Sequence, residues 1–228
     1  YLSSYGLLGC LSGFKPLIIS AWGSDVYYFP QKSFLHNLLI KFIVKKADVI
    51  CSSSKVMASL IKENYGRTDV IVIPFGVDTD LFKPKVKKSP IFKVGTIKSI
   101  ENYNGIDCLI DAANIIIHEY KKNIIFDIVG TGTLIKKMQR KVKDYGLSHK
   151  VKFHGYINHD KTIDYYNDLS IFVAVSLRES FGVSILEAAS CGLPSITSNI
   201  GGLVEVNSHN KTGIIIEPNN PRRLADSI

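Results

Sequence analysis

The sequence predicts an α/β fold built on parallel sheets, and three observations carry that prediction. From Phe92 onward, short apolar runs alternate with amphipathic segments of helical period, the pattern of a parallel sheet covered on both faces. The region before Phe92 follows the same alternation. Glycine turns fall where apolar runs give way to helices, at Gly95, at Gly130-Thr131-Gly132 and at Gly182.

Taken in order, the first region reads as a strand over 17–20, a helix over 34–46, a strand over 49–52, a helix over 55–65 and a strand over 70–73. A doubly wound domain needs several more strands on the amino side, so this region is expected to be the carboxyl part of a first domain whose start is absent. Pro74, Gly76, Pro84 and Pro90 punctuate the next segment, around a polar stretch from Lys83 to Lys88. The domains are therefore expected to be 1–84, including the linker, and 85–228. The second holds strands over 92–97, 124–129, 151–153, 171–176, 195–198 and 213–216. Its helices are read over 106–120, over 134–144 with Tyr145-Gly146 as the stop, over 161–167, over 184–190 closed by Cys191-Gly192 with Pro194 beyond, and over 224–228.

The 228 residues are 46% apolar, enough for buried cores, and no apolar run approaches bilayer-spanning length. The first 13 residues lack an initiator Met and a basic segment, so they do not read as a signal peptide. Cys10, Cys51, Cys108 and Cys191 sit apart in apolar or small-residue surroundings, as buried free thiols do, which points to a reducing cytoplasm. The formal charge of +8 suits phosphorylated substrates, anionic membrane or nucleic acid alike. Nucleic acid is disfavoured because the lysines are not interleaved with the exposed aromatics of a nucleic-acid reader. The histidines lie without partners at ligand spacing, and no metal site is legible.

The stretch from Arg178 to Pro194 places Glu179 and Glu187 eight positions apart across a strand-to-helix turn that contains Ser180-Phe181-Gly182-Val183. Glu179 is expected at the carboxyl end of a strand, and Glu187 about two turns further on, within the helix. Gly182 admits a ligand close to the backbone, and the first NH groups of the helix can meet an anion. One carboxylate can face a sugar and the other a ribose.

This string, with Ser195-Ile196-Thr197, Gly201-Gly202, Glu205, Gly213 and Glu217-Pro218 behind it, resembles the signature of family 4 glycosyltransferases. These are retaining enzymes of GT-B architecture, with two Rossmann-like domains facing across a cleft, that use nucleotide-diphospho-sugars. The segment 73–84 resembles the interdomain segment of the same family. The resemblance implies a nucleotide-sugar donor, a saccharide or lipid-linked acceptor, no bound metal or other cofactor, and a cytoplasmic protein in peripheral contact with the inner membrane face during surface polysaccharide synthesis. It implies that Glu179 touches the transferred sugar near the reacting centre and that Glu187 holds the ribose. It also implies that Gly155 and Tyr156, in Phe153-His154-Gly155-Tyr156, meet the base. Gly130 and Gly132 stand either by the diphosphate or in a simple tight turn. In the first domain the string Trp22-Gly23-Ser24-Asp25 stands where the family has a histidine-glycine-x-aspartate string, with Trp22 in the histidine's place. Asp25 is a functional carboxylate or a cap. The family's arginine after the first glycine is replaced here by Thr96, and asparagines stand where its lysine is expected, so Lys98 is the candidate diphosphate clamp. The rival readings are a nucleotide-sugar epimerase of the same architecture and a non-catalytic sugar-nucleotide binder.

Overall fold

The computed structural model of the chain describes residues 1–85 and 90–228. Part of the expected polar linker, with Lys87 and Lys88, lies outside the described residues. The chain divides into two compact units: Tyr1–Phe75 with Glu179–Phe181, and Gly76–Arg178 with Gly182–Ile228.

The first unit runs α1 (Ser4–Ser12), β1 (Ile18–Ala21), α2 (Ser24–Tyr27), a 3-10 turn (Phe29–Lys32), α3 (Phe34–Lys46), β2 (Val49–Ser52), α4 (Lys55–Tyr65) and β3 (Ile71–Val72). Its strands form one parallel sheet in the order β1-β2-β3, with Ile19 opposite Ile50 and Cys51 opposite Ile71. Helix α4 starts where Ser54 Oγ accepts from the Met57 NH at 3.2 Å, and it stops at Gly66, which has a left-handed φ of 73°. Helix α3 ends on Arg67, whose guanidinium donates to the carbonyls of Val44, Ala47 and Asp48 at 3.1, 2.8 and 2.9 Å. Ile40, Ile43, Ile50, Met57 and Ile61 are fully buried between helices and sheet. Each such side chain contributes about 1.5 to 3 kcal/mol by leaving water.

The second unit contains β4 (Lys93–Ile97), α5 (Ile106–Asn114) continuing as a π-helical turn (Ile115–Glu119), β5 (Ile125–Val129), α6 (Ile135–Asp144) and β6 (Val151–Gly155). It goes on through α7 (His159–Asp168), β7 (Ile171–Ala174), α8 (Val183–Ser190), β8 (Ser195–Ser198), α9 (Leu203–Val206), β9 (Gly213–Ile216) and α10 (Pro221–Ser227). All six strands are parallel, in the order β6-β5-β4-β7-β8-β9. The alternation of a strand's side chains divides the core between the two faces of the sheet. Phe172 joins Phe82, Tyr166 and Ile185 on one face, and Val173 joins Val94, Phe126 and Ile128 on the other. Near β9, Asn207 links β8 to the turn before β9. It is 3% exposed, its Nδ2 donates to Thr197 Oγ1 at 2.9 Å, and its Oδ1 accepts from Thr212 Oγ1 at 2.9 Å.

Every expected strand and helix is present, with ends shifted by at most three residues. Helices α1, α2 and α9 and the 3-10 turn are additions to the elements expected from sequence. The boundary lies earlier than Pro84, because Phe82 is 1% exposed in the core of the second unit, and Ser190 Oγ donates to its carbonyl. Strands β5 and β6 lie to one side of β4, and β7 to β9 to the other. The strand order therefore reverses between β4 and β7, and a ligand crevice is expected beyond their carboxyl ends.

Candidate functional site

Around that reversal, the sequence of the second unit sets out three loops. The first comes after β4 and carries half-buried Lys98, whose backbone NH donates to the Val129 carbonyl at 2.9 Å. The second comes after β5. Gly130 has a φ of 136°, and a Cβ there would sit 1.9 Å from the Lys98 carbonyl oxygen; one on Gly132 would sit 2.3 Å from that of Ile100. The glycine pair thus lets the two loops approach backbone to backbone. The Gly130 NH also donates to the Gly155 carbonyl at 2.7 Å, tying the loop to the end of β6. Gly155 has a φ of 69°, and Tyr156 beyond it is 75% exposed.

The third loop comes after β7 and leads into α8. Gly182 caps α8 with a φ of 105°, and the next two NH groups, of Val183 and Ser184, have no carbonyl a turn earlier within the helix. Glu187 lies on the buried side of α8 and is 7% exposed. Its Oε2 accepts from the Tyr166 hydroxyl at 2.6 Å and its Oε1 from His159 Nε2 at 2.7 Å. Burial, and then the neighbouring carboxylate, push the Tyr166 hydroxyl far above the usual phenol range, so it stays a proton donor to Glu187.

In the first unit, Glu179 is half-buried, with its Oε1 accepting from the Ser180 NH at 3.1 Å. Phe181 is buried, its ring centroid 6.0 Å from that of Phe75. Trp22 is 48% exposed, with its ring centroid 5.0 Å from Tyr1 and 5.6 Å from Phe75. A cavity of about 200 Å³ lies here, lined by Ser20, Trp22, Ser52, Ser53, Pro74 and Phe75. Ser24 is exposed at the start of α2.

Two expected site residues take other roles. Gly95 lies inside β4 rather than in a loop after it; a Cβ there would meet the Leu169 methyls at 2.6 and 2.8 Å, so the glycine serves packing between strand and chain. Asp25 is 1% exposed and accepts from the NH groups of Leu2, Trp22 and Gly23 at 3.1, 3.1 and 2.9 Å. With those bonds its carboxylate anchors the backbone of Leu2, Trp22 and Gly23. The histidines that read as partnerless include two with buried carboxylate partners. His159 meets Glu187, and His154 Nε2 stands 2.7 Å from Asp127 Oδ1. Neither contact has a local sequence signal, since each joins residues more than 25 positions apart. Among the described residues, no three His, Cys, Asp or Glu side chains converge on a metal-sized site. A cavity of about 540 Å³ lined by Phe92, Ile116, Tyr120 and Ile124 opens at the amino-terminal ends of β4 and β5 and takes no part in these loops.

Residues 77–228 match the family described as Glycosyl transferases group 1, and residues 1–54 match that described as Glycosyl transferase 4-like. The chain belongs to the group 1 glycosyltransferases. Over its whole length it is 28% identical to an uncharacterised glycosyltransferase of Methanocaldococcus jannaschii, spanning 62% of that protein. Among solved structures it is similar to Anabaena HepE, determined in complex with UDP and glucose, with a TM-score of 0.84 and 22% identity over 97% of this chain and 64% of that one. Sucrose-phosphate synthase from Thermosynechococcus elongatus is similar at a TM-score of 0.86 and 22% identity, over 97% of this chain and 60% of that one. These likenesses show the GT-B type of α/β fold. The group 1 chain described here thus spans a little under two thirds of each of these three relatives.

Proposed function

We propose that the protein carrying this chain transfers a glycosyl group from a nucleotide-diphospho-sugar to a saccharide or lipid-linked acceptor, with retention at the anomeric carbon. The observation that carries this reading is the start of α8. A left-handed glycine leads into free helical NH groups suited to a diphosphate, and one turn further on a buried carboxylate is already oriented by two donors. Cleavage of the anomeric C–O bond leaves negative charge on the diphosphate, which the α8 amino terminus and Lys98 stabilise in this reading. The acceptor oxygen bonds to the anomeric carbon on the face the diphosphate leaves, and its proton passes to the leaving phosphate oxygen. Glu179 positions the sugar and stabilises positive charge at the anomeric carbon. Glu187 accepts from the ribose hydroxyls, and the Gly155-Tyr156 turn meets the base. The Anabaena relative was solved with UDP, which makes UDP-sugars the first donors to try.

A lipid-linked acceptor would bring the protein to a membrane face. Helix α3 supports that contact: Phe34, Leu35, Leu38 and Phe42 are between 42% and 75% exposed beside Lys41 and Lys45, and the helix has no acidic residue. Apolar side chains interleaved with lysines suit an anionic lipid surface. No helix among the described residues is long and apolar enough to cross a membrane.

The test is a pair of variants assayed with a panel of nucleotide-sugars. Glu179→Gln should lower turnover and leave nucleotide affinity unchanged, whereas Glu187→Gln should weaken nucleotide binding by about 1 to 3 kcal/mol. Unchanged turnover in Glu179→Gln would remove that residue from the reaction.

A further inference from the structure

The Glu187 carboxylate has room for about four hydrogen bonds, two at each oxygen. The protein fills one at each: Tyr166 at Oε2 and His159 at Oε1, at 2.6 and 2.7 Å. Each oxygen keeps one further acceptor direction. That is the complement of a vicinal diol, which can donate one hydrogen to each oxygen of a carboxylate.

The two donors differ in setting. Tyr166 is 1% exposed and packed against Phe82 and Phe172, with ring centroids 5.9 and 5.4 Å away. The His159 side chain is 68% exposed. It is nevertheless held in place. His159 opens α7, its backbone carbonyl accepts from Thr162 Oγ1 at 2.7 Å, and its ring lies 5.2 Å from that of Phe82. Because a carboxylate oxygen can only accept, the His159 Nε2 must carry the hydrogen in this contact. A buried carboxylate with one fixed donor could still swing about its terminal torsion, which is broad and soft. A second donor at the other oxygen removes that freedom.

We infer that His159 is a positioning residue that, together with Tyr166, locks the plane of the Glu187 carboxylate, and that this lock sets how strongly the protein prefers ribonucleotides over deoxyribonucleotides. The inference rests on the reading of Glu187 as the ribose contact. It assigns His159 no contact with substrate and no proton transfer. Truncating His159 leaves Glu187 in place, but the carboxylate spreads over rotamers that no longer offer both oxygens to the diol at once.

Calorimetry tests this with UDP, GDP and ADP, each against its 2′-deoxy counterpart, the tightest-binding pair being used for the variants. The native protein should prefer the ribonucleotide by about tenfold or more, the scale of a hydrogen bond to a charged group. His159→Ala should cut that preference to about threefold or less while raising the Kd of the deoxynucleotide little. His159→Gln, which can return an NH donor to the same place, should restore most of the preference, a rescue that a purely structural role for the ring would not give. Glu187→Gln should lose the preference altogether. A native preference in His159→Ala, with Glu187→Gln having lost it, would overturn the inference and leave the ribose reading standing. A native preference in Glu187→Gln would overturn both.

Discussion

Asn104 donates both hydrogens of its side-chain amide to Ser99, reaching the carbonyl at 2.9 Å and the hydroxyl at 2.7 Å. At 5% exposure, Asn104 is a buried polar side chain satisfied by the loop it closes. The loop that begins with Lys98 is therefore held at its base rather than left to sample many shapes. The asparagines that stand in this stretch instead of a second cation thus include one with a structural use.

On the reading of Lys98 as the diphosphate clamp, Lys98→Ala should weaken binding of a nucleoside diphosphate by about tenfold and leave binding of the parent nucleoside unchanged. Donor turnover should fall further, by about 2 kcal/mol or more in activation free energy, because charge on the diphosphate grows in the transition state. Equal effects on nucleoside and diphosphate would assign Lys98 to the fold alone.

Gly130→Ala should behave as a loop mutation. Its φ of 136° is strained for any side chain, and the added Cβ would meet the Lys98 carbonyl oxygen at 1.9 Å. Separation of the two loops should lower the unfolding free energy by about 2 to 4 kcal/mol, read by urea titration. Gly146→Ala is the comparison. It too has a positive φ, but its Cβ would meet nothing within 4 Å, so only the smaller conformational penalty applies.

Acid sensitivity should come in part from Asp48 and Glu101. The hydrogen bond from Lys15, with a second from the Leu17 NH, holds the Asp48 carboxyl below its usual range, and the Thr133 hydroxyl does the same for Glu101. With a folded pKa below the unfolded one, the unfolded chain takes up protons first as pH falls. The stabilisation is therefore complete above the ordinary carboxylate range, about pH 4, and is lost as pH drops through the lowered folded values. Asp48→Asn should flatten the pH dependence of the urea midpoint below about pH 5. A curve of native steepness would assign the acid response to other carboxylates.

Replacing Phe34 and Phe42 together by serine should abolish sedimentation with vesicles containing phosphatidylserine, since it removes the apolar half of the α3 surface. Replacing Lys41 and Lys45 by glutamine should weaken the same binding and lessen its dependence on salt. Retention of native sedimentation by both variants would count against a membrane face at α3.

The parts of this chain that are legible in its sequence are those whose signals are local. The apolar run from Ile171 to Ser176, Gly182, the helical spacing from Ser184 to Ser190, and the Cys191-Gly192 stop lie within about twenty residues and place the ends of β7 and α8 to within two residues. Helix α1 escapes such a reading because Ser4–Ser12 has two glycines and no charge to mark a polar face. Gly6 is there because the chain passes close to its neighbours, a Cβ on it falling 2.9 Å from an Ile43 methyl. Gly95 reads as a loop residue because a glycine inside an apolar run resembles a turn; the Leu169 side chain that requires it is 74 positions away. The donors to Glu187 are illegible for the same reason, as sequence spacing gives no sign that α7 and α8 bring their side chains together. Asp25 is a mixed case: its bonds from Trp22 and Gly23 are local, whereas the one from Leu2 reaches across 23 positions.

Asn207 precedes Ser208, and an asparagine with a small residue after it is open to slow, spontaneous deamidation, in which the next backbone nitrogen attacks the side-chain carbonyl and ammonia leaves. Here both reaction partners are restrained: the Asn207 amide is bonded to Thr197 Oγ1, and the Ser208 NH donates to Thr212 Oγ1 at 2.8 Å. The five-membered imide cannot close while those bonds stand. Aspartate and isoaspartate at position 207 would then accumulate only during moments when the loop before β9 has come loose, so mass spectrometry of an aged sample would record the lifetime total of such openings.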